Sequence, residues 1–257
     1  MSSQRMLNKV AFITGGGTGI GAAIARLFAK EGASVLIIGR REDPLKFTCK
    51  EIEDFGGQAS YFCGDITNSR HVQKAINFTN DSLGHITTLV NCAGVAKRNE
   101  DPTKLKETDW QFLINVNIKG VFYTTKYVLQ NMLDNNIKGT ITNITSISAH
   151  RATSGYATYS ASKGAVISYT RVIALQYASK GIRSNCVSPG IILTPMTYVD
   201  RENFDDNSID RLNQLHPLGR VGTPIDVAYT VLFLSSEESS WITGQDLIVD
   251  GGLSIEV

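Results

Sequence analysis

Residues 10–30 read VAFITGGGTGIGAAIARLFAK, an apolar run that enters a glycine-rich turn and continues as an amphipathic stretch. Glycine lets the chain turn tightly and lets backbone N–H groups approach a phosphate, while the N-terminus of a following helix adds partial positive charge. Because strand, turn and helix follow in the required order, we predict a dinucleotide-binding turn rather than an ordinary one. The spacing of Gly15, Gly19 and Gly21, TGxxxGxG, is one residue longer than the GxGxxG pattern.

Short apolar runs and longer amphipathic stretches alternate along the rest of the chain. The predicted strands are residues 10–14, 34–39, 59–63, 88–91, 140–144, 183–187 and 246–249, and the predicted helices are residues 19–30, 70–83, 108–135, 157–178 and 224–235. Continuous apolar strands separated by helices indicate a parallel sheet that is covered on both faces. The sequence thus predicts an α/β fold, a doubly wound parallel sheet (Rossmann fold) of about seven strands with helices on both faces.

The length of 257 residues is within the range of α/β folds that form one unit. We therefore predict a single dinucleotide-binding and catalytic domain over residues 1–257. The 25 Lys and Arg residues nearly balance the 24 Asp and Glu residues, which gives a formal net charge of +1. Because no global field favours a polyanion, we expect neither nucleic acid nor a membrane surface as a partner.

Two targeting features are absent from the sequence: an apolar stretch of ~18 residues, which a membrane span requires, and an apolar segment behind a basic start, which a signal peptide requires. Cys49, Cys63, Cys92 and Cys186 lie far apart without CxxC spacing, so we expect buried, reduced thiols and no metal site. These features predict a cytoplasmic protein.

A polar segment over residues 197–215 interrupts the alternation of strands and helices. Its charged residues include Asp200, Arg201, Glu202, Asp205, Asp206 and Asp210. A polar insertion after a strand is either a solvated loop or a mobile lid over a pocket. We predict a substrate lid, because the segment follows the candidate site described below.

The residues after the second predicted strand indicate which dinucleotide binds. An acidic side chain there would bind the ribose hydroxyls of NAD and repel a 2′-phosphate, but the sequence has Arg40 and Arg41. A guanidinium can form charge-assisted hydrogen bonds of ~1.5–3 kcal/mol to that phosphate. We therefore predict that NADP(H) is preferred over NAD(H); the alternative is a solvated pair of surface arginines.

Tyr159 and Lys163 lie four residues apart in a predicted helix, which puts them side by side on one face. A tyrosine titrates near ~10 in water, and a neighbouring ammonium lowers its pKa because it favours the phenolate. Tyr159 would then suit general acid/base work. Taken alone, a Tyr and a Lys at this spacing are usually ordinary surface neighbours.

The glycine turn at residues 14–21 and the Tyr159-x-x-x-Lys163 pattern together resemble the short-chain dehydrogenase/reductase family. The NCAG stretch at residues 91–94 is similar to the NNAG segment of that family. Ser146 precedes Tyr159 by the thirteen residues that are usual in the family. These motifs occur in the family's order, so the resemblance covers most of the chain.

Three further stretches support the resemblance. Asn117 lies in the helix where the family carries its fourth catalytic residue, and residues 189–190 with Thr194 match the loop on the nicotinamide side. The PLGR stretch at residues 217–220 and the segment 243–252 are similar to those of 3-oxoacyl-[acyl-carrier-protein] reductases. The resemblance also implies a homotetramer, packed through the long helices that contain Asn117 and Tyr159, with the C-terminal strand in a second interface.

The resemblance implies a role for each catalytic residue. Ser146 would donate a hydrogen bond to the substrate carbonyl and help to hold the developing oxyanion, and Tyr159 would deliver the proton. Lys163 would bind the nicotinamide ribose and lower the pKa of Tyr159, while Asn117 would hold a water that connects Lys163 to solvent. Taken singly, Ser146 could be a strand-end hydroxyl and Asn117 a buried amide that braces two strands.

The resemblance also implies dinucleotide contacts, with Asp65 accepting from the adenine amino group and with Ile192 and Thr194 at the carboxamide end. Asp65 could instead cap a turn before Asn68, and Cys92, where the family often has Asn, leaves one structural hydrogen bond in doubt. The predicted cofactor-binding residues are Gly15, Gly17, Thr18, Gly19, Ile20, Gly21, Arg40, Arg41, Asp65, Ile66, Asn91, Ala93, Gly94, Tyr159, Lys163, Pro189, Gly190, Ile192 and Thr194.

We expect the substrate beyond the strand ends, at the point where the strand order reverses. The predicted walls contain Ala96, Lys97, Arg98, His150, Arg151, Tyr156, Met196 and Tyr198. Four of these are basic or titratable and indicate an anionic or phosphate-bearing substrate, such as an acyl carrier or a hydroxy acid. The alternative is that these side chains are simply solvated.

The sequence therefore predicts an NADP(H)-dependent oxidoreductase that interconverts a ketone and a secondary alcohol by hydride transfer, with Tyr159 as the acid/base. Its substrate would be a small-molecule or acyl-thioester carbonyl compound. Two alternatives stay open: an enoyl-thioester reductase that reduces a C=C bond, and a non-catalytic protein that senses NADP. The set of Ser146, Tyr159 and Lys163 argues against a sensor, because sensing a cofactor requires no tuned phenol.

Overall fold

The computed structural model describes residues 4–98, 100–198 and 206–255. The strands are β1 (Val10–Thr14), β2 (Ser34–Gly39), β3 (Gln58–Cys63), β4 (Thr88–Asn91), β5 (Gly139–Ile144), β6 (Ile182–Pro189) and β7 (Asp246–Val249). They form one parallel sheet in the order β3-β2-β1-β4-β5-β6-β7. This sheet confirms the predicted architecture, although β3, β5 and β6 begin one residue earlier than predicted and β6 extends to Pro189.

The helices are α1 (Gly19–Lys30), α2 (Glu42–Asp54), α3 (Ser69–Ser82), α4 (Glu107–Ile114), α5 (Gly120–Asp134), α6 (Ala157–Tyr177), α7 (Pro195–Tyr198), α8 (Asp206–Gln214) and α9 (Pro224–Ser235). A π-helical segment, Asn115–Lys119, joins α4 to α5, so the single helix predicted over residues 108–135 is interrupted. Helix α2 was not predicted, because Thr48 and Cys49 share its buried face with Leu45 and Ile52 and weaken the apolar pattern.

The polar segment at residues 197–215 contains helical structure. Helix α7 reaches into its start and α8 fills much of its second half, where Leu212 is buried. Residues 199–205, which include Asp200, Arg201, Glu202 and Asp205, lie outside the described residues. Whether this segment acts as a lid therefore stays a prediction.

Apolar side chains pack on both faces of the sheet. On one face, Ile24 of α1 and Val231 of α9 belong to a cluster that also includes residues of α2. On the other face, Ile76 of α3, Val128 of α5 and Ile173 of α6 form a second cluster. Burying one large aliphatic side chain is worth ~1.5–3 kcal/mol, so these two layers fix the strand ends on which the site is built.

The strand order reverses beside β1, which pairs with β2 on one side and with β4 on the other. Thr14 and Asn91 are register partners, so β1 and β4 end at the same level. In open α/β sheets, ligands bind in the crevice outside the carboxyl ends of the strands at such a reversal. The fold therefore points to the residues that follow β1 and β4.

The cysteines differ in exposure. Cys49 and Cys186 are buried as expected and Cys92 is half-buried, but the expectation is wrong for Cys63, which is exposed. Cys63 ends β3, an edge strand, and therefore lacks a neighbouring strand on its outer side. No helix in the described part of the chain combines the length and the apolar character that crossing a membrane requires.

Candidate active site

A cavity of about 810 Å³ opens at the carboxyl ends of the strands. Its walls come from the turn after β1, the ends of β2 and β3, and the segments after β4, β5 and β6. The predicted residues that line it are Gly15, Gly17, Thr18, Gly19, Ile20, Gly21, Arg40, Arg41, Asp65, Ile66, Ala93, Gly94, Ser146, Tyr159, Lys163, Pro189, Gly190, Ile192 and Thr194. Asn91 and Asn117 do not line it.

The glycine turn brings the backbone close to the segment after β4. Gly15 has a φ of +70°, and a Cβ there would lie 2.9 Å from Ala93 Cα. A Cβ on Gly21 would collide with the carbonyl oxygen of Gly15. Thr18, at the N-cap of α1, makes no side-chain capping hydrogen bond within the described chain. The first-turn N–H groups of α1 are thus available to an anion, and the turn fits a dinucleotide pyrophosphate.

Arg40 and Arg41 follow β2, the strand that pairs with β1, and are both exposed. Asp65 follows β3, and its Oδ1 accepts a hydrogen bond of 2.8 Å from the backbone N–H of Thr67. Asp65 therefore caps a turn and lines the cavity as well. The side chains after β2 are cationic, which suits a phosphate better than two ribose hydroxyls.

Tyr159, Ser146 and Lys163 meet at the middle of the cavity. Ser146 follows β5 and its Oγ accepts a hydrogen bond of 3.1 Å from the Ser148 N–H. The side chains of Tyr159 and Ser146 line the same part of the chain's cavity, and the Ser146 hydroxyl acts on the ionisation of Tyr159. Lys163 is buried one helical turn after Tyr159, with its Nζ 5.7 Å from the centre of the Tyr159 ring. This group can hold a carbonyl oxygen between two hydroxyls with an ammonium close by.

Burial is the largest cause of the pKa shifts of Tyr159 and Lys163. Burial raises the pKa of Tyr159 to about 12, although the neighbouring Ser146 hydroxyl acts in the opposite direction. Burial also lowers the pKa of Lys163 to about 8. The expectation that Lys163 lowers the pKa of Tyr159 below its usual value is therefore wrong for this structure. Lys163 Nζ donates to the Ile144 carbonyl at 2.8 Å, and the loss of solvation of the phenolate is the largest cause of the shift of the Tyr159 pKa.

Asn117 lies in the π-helical segment and joins two walls of the site. Its Oδ1 accepts from the Val95 N–H at 2.9 Å, and its Nδ2 donates to the Val95 carbonyl at 2.9 Å and to Ser162 Oγ at 3.0 Å. A Cβ on Gly94 would lie 3.3 Å from Lys163 Nζ and 3.5 Å from Asn117 Oδ1. Asn117 therefore braces the segment after β4 against α6, while its role in holding a water stays a prediction.

Comparison with known proteins agrees with this geometry. Residues 15–254 match a family model described as "Enoyl-(Acyl carrier protein) reductase". The chain is 38% identical over 252 residues to the 3-oxoacyl-[acyl-carrier-protein] reductase FabG of Thermotoga maritima, covering 98% of this chain and 100% of that one. The chain belongs to the short-chain dehydrogenase/reductase family. It is an oxidoreductase of that family, whose members bind a nicotinamide cofactor.

The chain is also similar to two further proteins. The chain is 38% identical to the (2S)-[(R)-hydroxy(phenyl)methyl]succinyl-CoA dehydrogenase subunit BbsD of Thauera aromatica, covering 96% of this chain and 97% of that one. A crystal structure of a short-chain type dehydrogenase/reductase from Mycobacterium marinum superposes with a TM-score of 0.92 at 31% identity and covers 99% of both chains. These likenesses confirm the family and the fold.

Asn91 lies in the segment that resembles the family's NNAG motif. The polar atoms of its side chain are hydrogen-bonded to other buried side chains in the core. Its Nδ2 donates to Asn143 Oδ1 at 2.8 Å and to Thr125 Oγ1 at 3.1 Å, and its Oδ1 accepts from Thr124 Oγ1 at 2.5 Å. Its side chain therefore ties β4 to β5 and α5. The structure does not bring this side chain to the cavity, where its cofactor contact was predicted.

Only some of the residues that were predicted to contact the substrate line the cavity. Ala96, Arg98, Arg151, Tyr156 and Met196 line the cavity. Lys97 and His150 do not line it. Lys97 pairs with Asp109, and His150 Nε2 lies 2.6 Å from Asp246 Oδ2. The side chain of Tyr198 lies outside the described residues.

Glu100 is a site-supporting residue that the sequence analysis missed. It is buried, its carboxylate accepts from the Thr158 N–H at 2.8 Å, and its backbone N–H donates to the Gly155 carbonyl at 3.1 Å. A carboxylate at the N-terminus of a helix stabilises that helix. Glu100 therefore fastens the segment after β4 to the first turn of α6, which carries Tyr159. A lone acid in a loop gives no sequence signal for such a role.

Glu100→Ala is expected to lower the free energy of unfolding by about 1–2 kcal/mol, because the Thr158 N–H loses its buried acceptor. Glu100→Gln keeps an acceptor oxygen and is expected to lose much less. Urea unfolding of both variants measures the difference. Equal losses in the two variants would show that the charge, rather than the acceptor, stabilises α6.

Proposed function

We propose that this protein reduces a ketone to a secondary alcohol, or catalyses the reverse, with NADP(H) as the cofactor and Tyr159 as the acid/base. The observation that carries this proposal is that Tyr159 and Ser146 line the same cavity as the buried Lys163, whose Nζ lies 5.7 Å from the centre of the Tyr159 ring. A sensor of the cofactor would need no such pair in the cavity. The cavity extends from the glycine turn to this pair, so one ligand can bridge both.

In this proposal, different residues bind the cofactor and the substrate carbonyl. The turn after β1 and the N-terminus of α1 would hold the pyrophosphate, Asp65 the adenine end, and Ile192 with Thr194 the carboxamide end. The nicotinamide, when bound, supplies or accepts the hydride. Ser146 donates a hydrogen bond to the carbonyl oxygen and stabilises the negative charge that develops on it.

Tyr159 donates its proton to the same oxygen as the alcohol forms, and it takes the proton back in the oxidation direction. Lys163 stays mostly protonated at neutral pH, because its pKa of about 8 lies above 7. Its ammonium stabilises the phenolate that Tyr159 becomes after donating the proton. The Ser146 hydroxyl also favours the phenolate, because it acts to lower the pKa of Tyr159.

The preference for NADP(H) rests on Arg40. Arg40→Gln is expected to weaken the binding of NADPH by about 10- to 100-fold and to leave NADH binding nearly unchanged, because a charge-assisted hydrogen bond to the 2′-phosphate is lost. Fluorescence titration with both cofactors measures the effect. Lys46→Gln is the matched control, since Lys46 lies on α2, pairs with Glu42 and does not line the cavity. Equal affinity of the parent protein for NADH and NADPH would refute the preference.

Reduction of a C=C bond is the second candidate function, favoured by the description of the matched family model. The relatives named above favour chemistry at a carbonyl or an alcohol, because their names describe 3-oxoacyl reduction and hydroxyacyl dehydrogenation. The loss of NADPH absorbance separates the two when the protein is offered ketones, 3-oxoacyl thioesters and enoyl thioesters. Turnover of enoyl thioesters alone would replace the first candidate with the second.

The same resemblance supports three further proposals. We propose one catalytic domain, a cytoplasmic location, and a homotetramer packed through α5 and α6 with β7 in a second interface. Exposed apolar side chains on these elements support the assembly. They are Phe122 on α5, Val172 and Leu175 on α6 and Ile248 on β7. Such side chains lose contact with water when two helices or two edge strands pack together.

A further inference from the structure

A polar cluster lies beside the turn that begins at Ser146. We call it the His150 cluster and define it by the side chains of Thr145, His150, Ser188 and Asp246. His150 Nε2 lies 2.6 Å from Asp246 Oδ2 and 3.3 Å from Ser188 Oγ. Ser188 Oγ donates to Asp246 Oδ2 at 2.9 Å and lies 2.8 Å from Thr145 Oγ1. The cluster therefore joins the residue after β5 to the end of β6 and to the first residue of β7.

The carboxylate of Asp246 is the buried centre of the His150 cluster. Its side chain is 5% exposed, and its second oxygen, Oδ1, has no hydrogen-bond partner among the described residues. An ionised carboxylate can only accept hydrogen bonds, so the proton between it and His150 belongs to Nε2. A buried carboxylate is costly unless donors compensate it. Removing the imidazole would leave Ser188 as the remaining side-chain donor in the described part of the chain.

Ser146 and His150 are the first and last residues of one tight turn. Ser148 N–H donates to Ser146 Oγ at 3.1 Å, and Ala149 N–H donates to the Ser146 carbonyl oxygen at 3.0 Å. His150 N–H donates to the Ile147 carbonyl oxygen at 2.9 Å. Because Ser146 Oγ accepts within the turn, its own proton is left for a ligand. The direction of the Ser146 hydroxyl thus follows the shape of this turn.

The two ends of the turn are tied to the sheet by different bonds. At the start, Thr145 donates to the Val187 carbonyl oxygen of β6 from its backbone N–H at 2.8 Å and from its Oγ1 at 2.9 Å. At the end, His150 reaches Asp246 of β7. The His150 side chain is 32% exposed, so the contact with Asp246, rather than burial, sets its direction. The His150 cluster therefore holds both ends of the turn that carries Ser146.

We propose that His150 and Asp246, together with Ser188, are positioning residues that hold the Ser146 hydroxyl in place for the substrate carbonyl. None of these three side chains lines the cavity, so they act through the turn and do not touch the ketone. Displacing a reacting group by about 1 Å can lower a rate by about 10²-fold. The inference rests on the proposed function, because it acts through the hydroxyl that would bind the ketone oxygen.

The first test removes the imidazole. With NADPH and the ketone that the parent protein reduces fastest, His150→Ala is expected to lower kcat by about 10-fold or more, with little change in KM or in NADPH binding. His150→Gln is expected to recover most of this loss, because its side-chain amide can donate to Asp246. His85→Ala is the matched control, since it removes an exposed histidine outside the cavity, and it is expected to keep the parent kcat.

A double-mutant cycle shows whether His150 acts through Ser146. Ser146→Ala is expected to lower kcat by about 10²–10³-fold, as the loss of one donor to an oxyanion does. In that background, adding His150→Ala is expected to change kcat by less than about twofold, because the hydroxyl that the cluster holds is already gone. Ile76→Val, a change in the core at α3, is the stability control. It is expected to weaken the fold in urea unfolding and to keep the parent kcat.

Hydrogen exchange gives a measurement that does not depend on turnover. Mass spectrometry of the peptide that covers residues 146–151 follows the backbone N–H groups that close the turn. Exchange in this peptide is expected to be faster in His150→Ala by about tenfold or more, and to return to the parent rate in His150→Gln. His85→Ala is expected to leave the exchange of this peptide unchanged.

The outcomes separate this inference from the proposed function. A parent-like kcat in His150→Ala, or the same fold loss with and without the Ser146 hydroxyl, would overturn the positioning role and leave ketone reduction standing. If the parent protein turns over no ketone, the proposed function fails instead. In that case the exchange measurement decides: faster exchange in His150→Ala, restored in His150→Gln, supports the anchoring of Ser146 by the cluster, and unchanged exchange overturns it.

Discussion

Tyr159→Phe is expected to lower kcat for ketone reduction by roughly 10²–10⁴-fold, the usual contribution of a positioned general acid. The variant keeps the aromatic ring next to Lys163 and removes only the phenol hydroxyl. Binding of NADPH is therefore expected to stay nearly the same. Steady-state turnover at saturating NADPH and a fluorescence titration of the cofactor measure the two quantities separately.

Two other tyrosines provide control variants that also lose a phenol hydroxyl. Tyr169 lies on the same helix as Tyr159 but does not line the cavity, so Tyr169→Phe is expected to retain the parent kcat. Tyr156 lies in the cavity with its ring 5.8 Å from that of Tyr159, and Tyr156→Phe is expected to have a much smaller effect than Tyr159→Phe. If Tyr156→Phe abolished turnover and Tyr159→Phe did not, Tyr156 would be the proton donor.

The sheet could be predicted almost completely from the sequence. Its inner strands are buried on both faces, and β1 and β2 appear as continuous apolar runs, while the edge strands β3 and β7 are only partly buried. Leu36, Ile37 and Ile38 in β2 are all buried, as a strand between two helical layers requires. The glycine turn was equally readable, since Gly15 adopts a backbone conformation that other residues rarely adopt. Local pattern and tertiary structure agree in these elements.

The parts that the sequence could not supply depend on side-chain direction and burial. Asn91 points into the core rather than toward the cavity, and nothing in the NCAG stretch indicates this direction. Asn117, in the π-helical segment, bonds to Val95 and Ser162, which are distant in sequence. The direction of the pKa shift of Tyr159 follows from burial, which a spacing of four residues cannot reveal.

Lys163→Met is expected to lower kcat by roughly 10²-fold or more, because the phenolate of Tyr159 loses its neighbouring ammonium. The same variant is expected to be more stable than the parent protein at pH 7. Lys163 is buried, and its pKa is lowered to about 8 from the ordinary value of 10.5. A lowered pKa for a lysine means that folding disfavours the charged form.

The lowered pKa of Lys163 makes the stability of the parent protein depend on pH. Below pH 8 Lys163 is protonated in both states, and the parent protein bears the full cost of burying the ammonium, about 3 kcal/mol. Between pH 8 and 10.5 the unfolded chain binds more protons than the native one, so the stability of the parent protein rises with pH and approaches that of the variant. Losing the hydrogen bond from Nζ to the Ile144 carbonyl offsets about 1 kcal/mol, so the net gain at pH 7 is about 2 kcal/mol.

Urea unfolding of the parent protein and of Lys163→Met from pH 7 to pH 10.5 tests this argument. Lys180→Met is the control, since Lys180 is exposed and its ammonium carries no comparable cost of burial. Tyr159 has a raised pKa of about 12, so above pH 10 its phenol ionises in the unfolded chain before it ionises in the native protein. This lowers the free energy of unfolding of both proteins, and the effect largely cancels when the two free energies are subtracted. A stability difference that stays constant across this range would mean that Lys163 is not held at a lowered pKa. The ammonium would then be solvated in the native protein, and its role beside Tyr159 would have to rest on position alone.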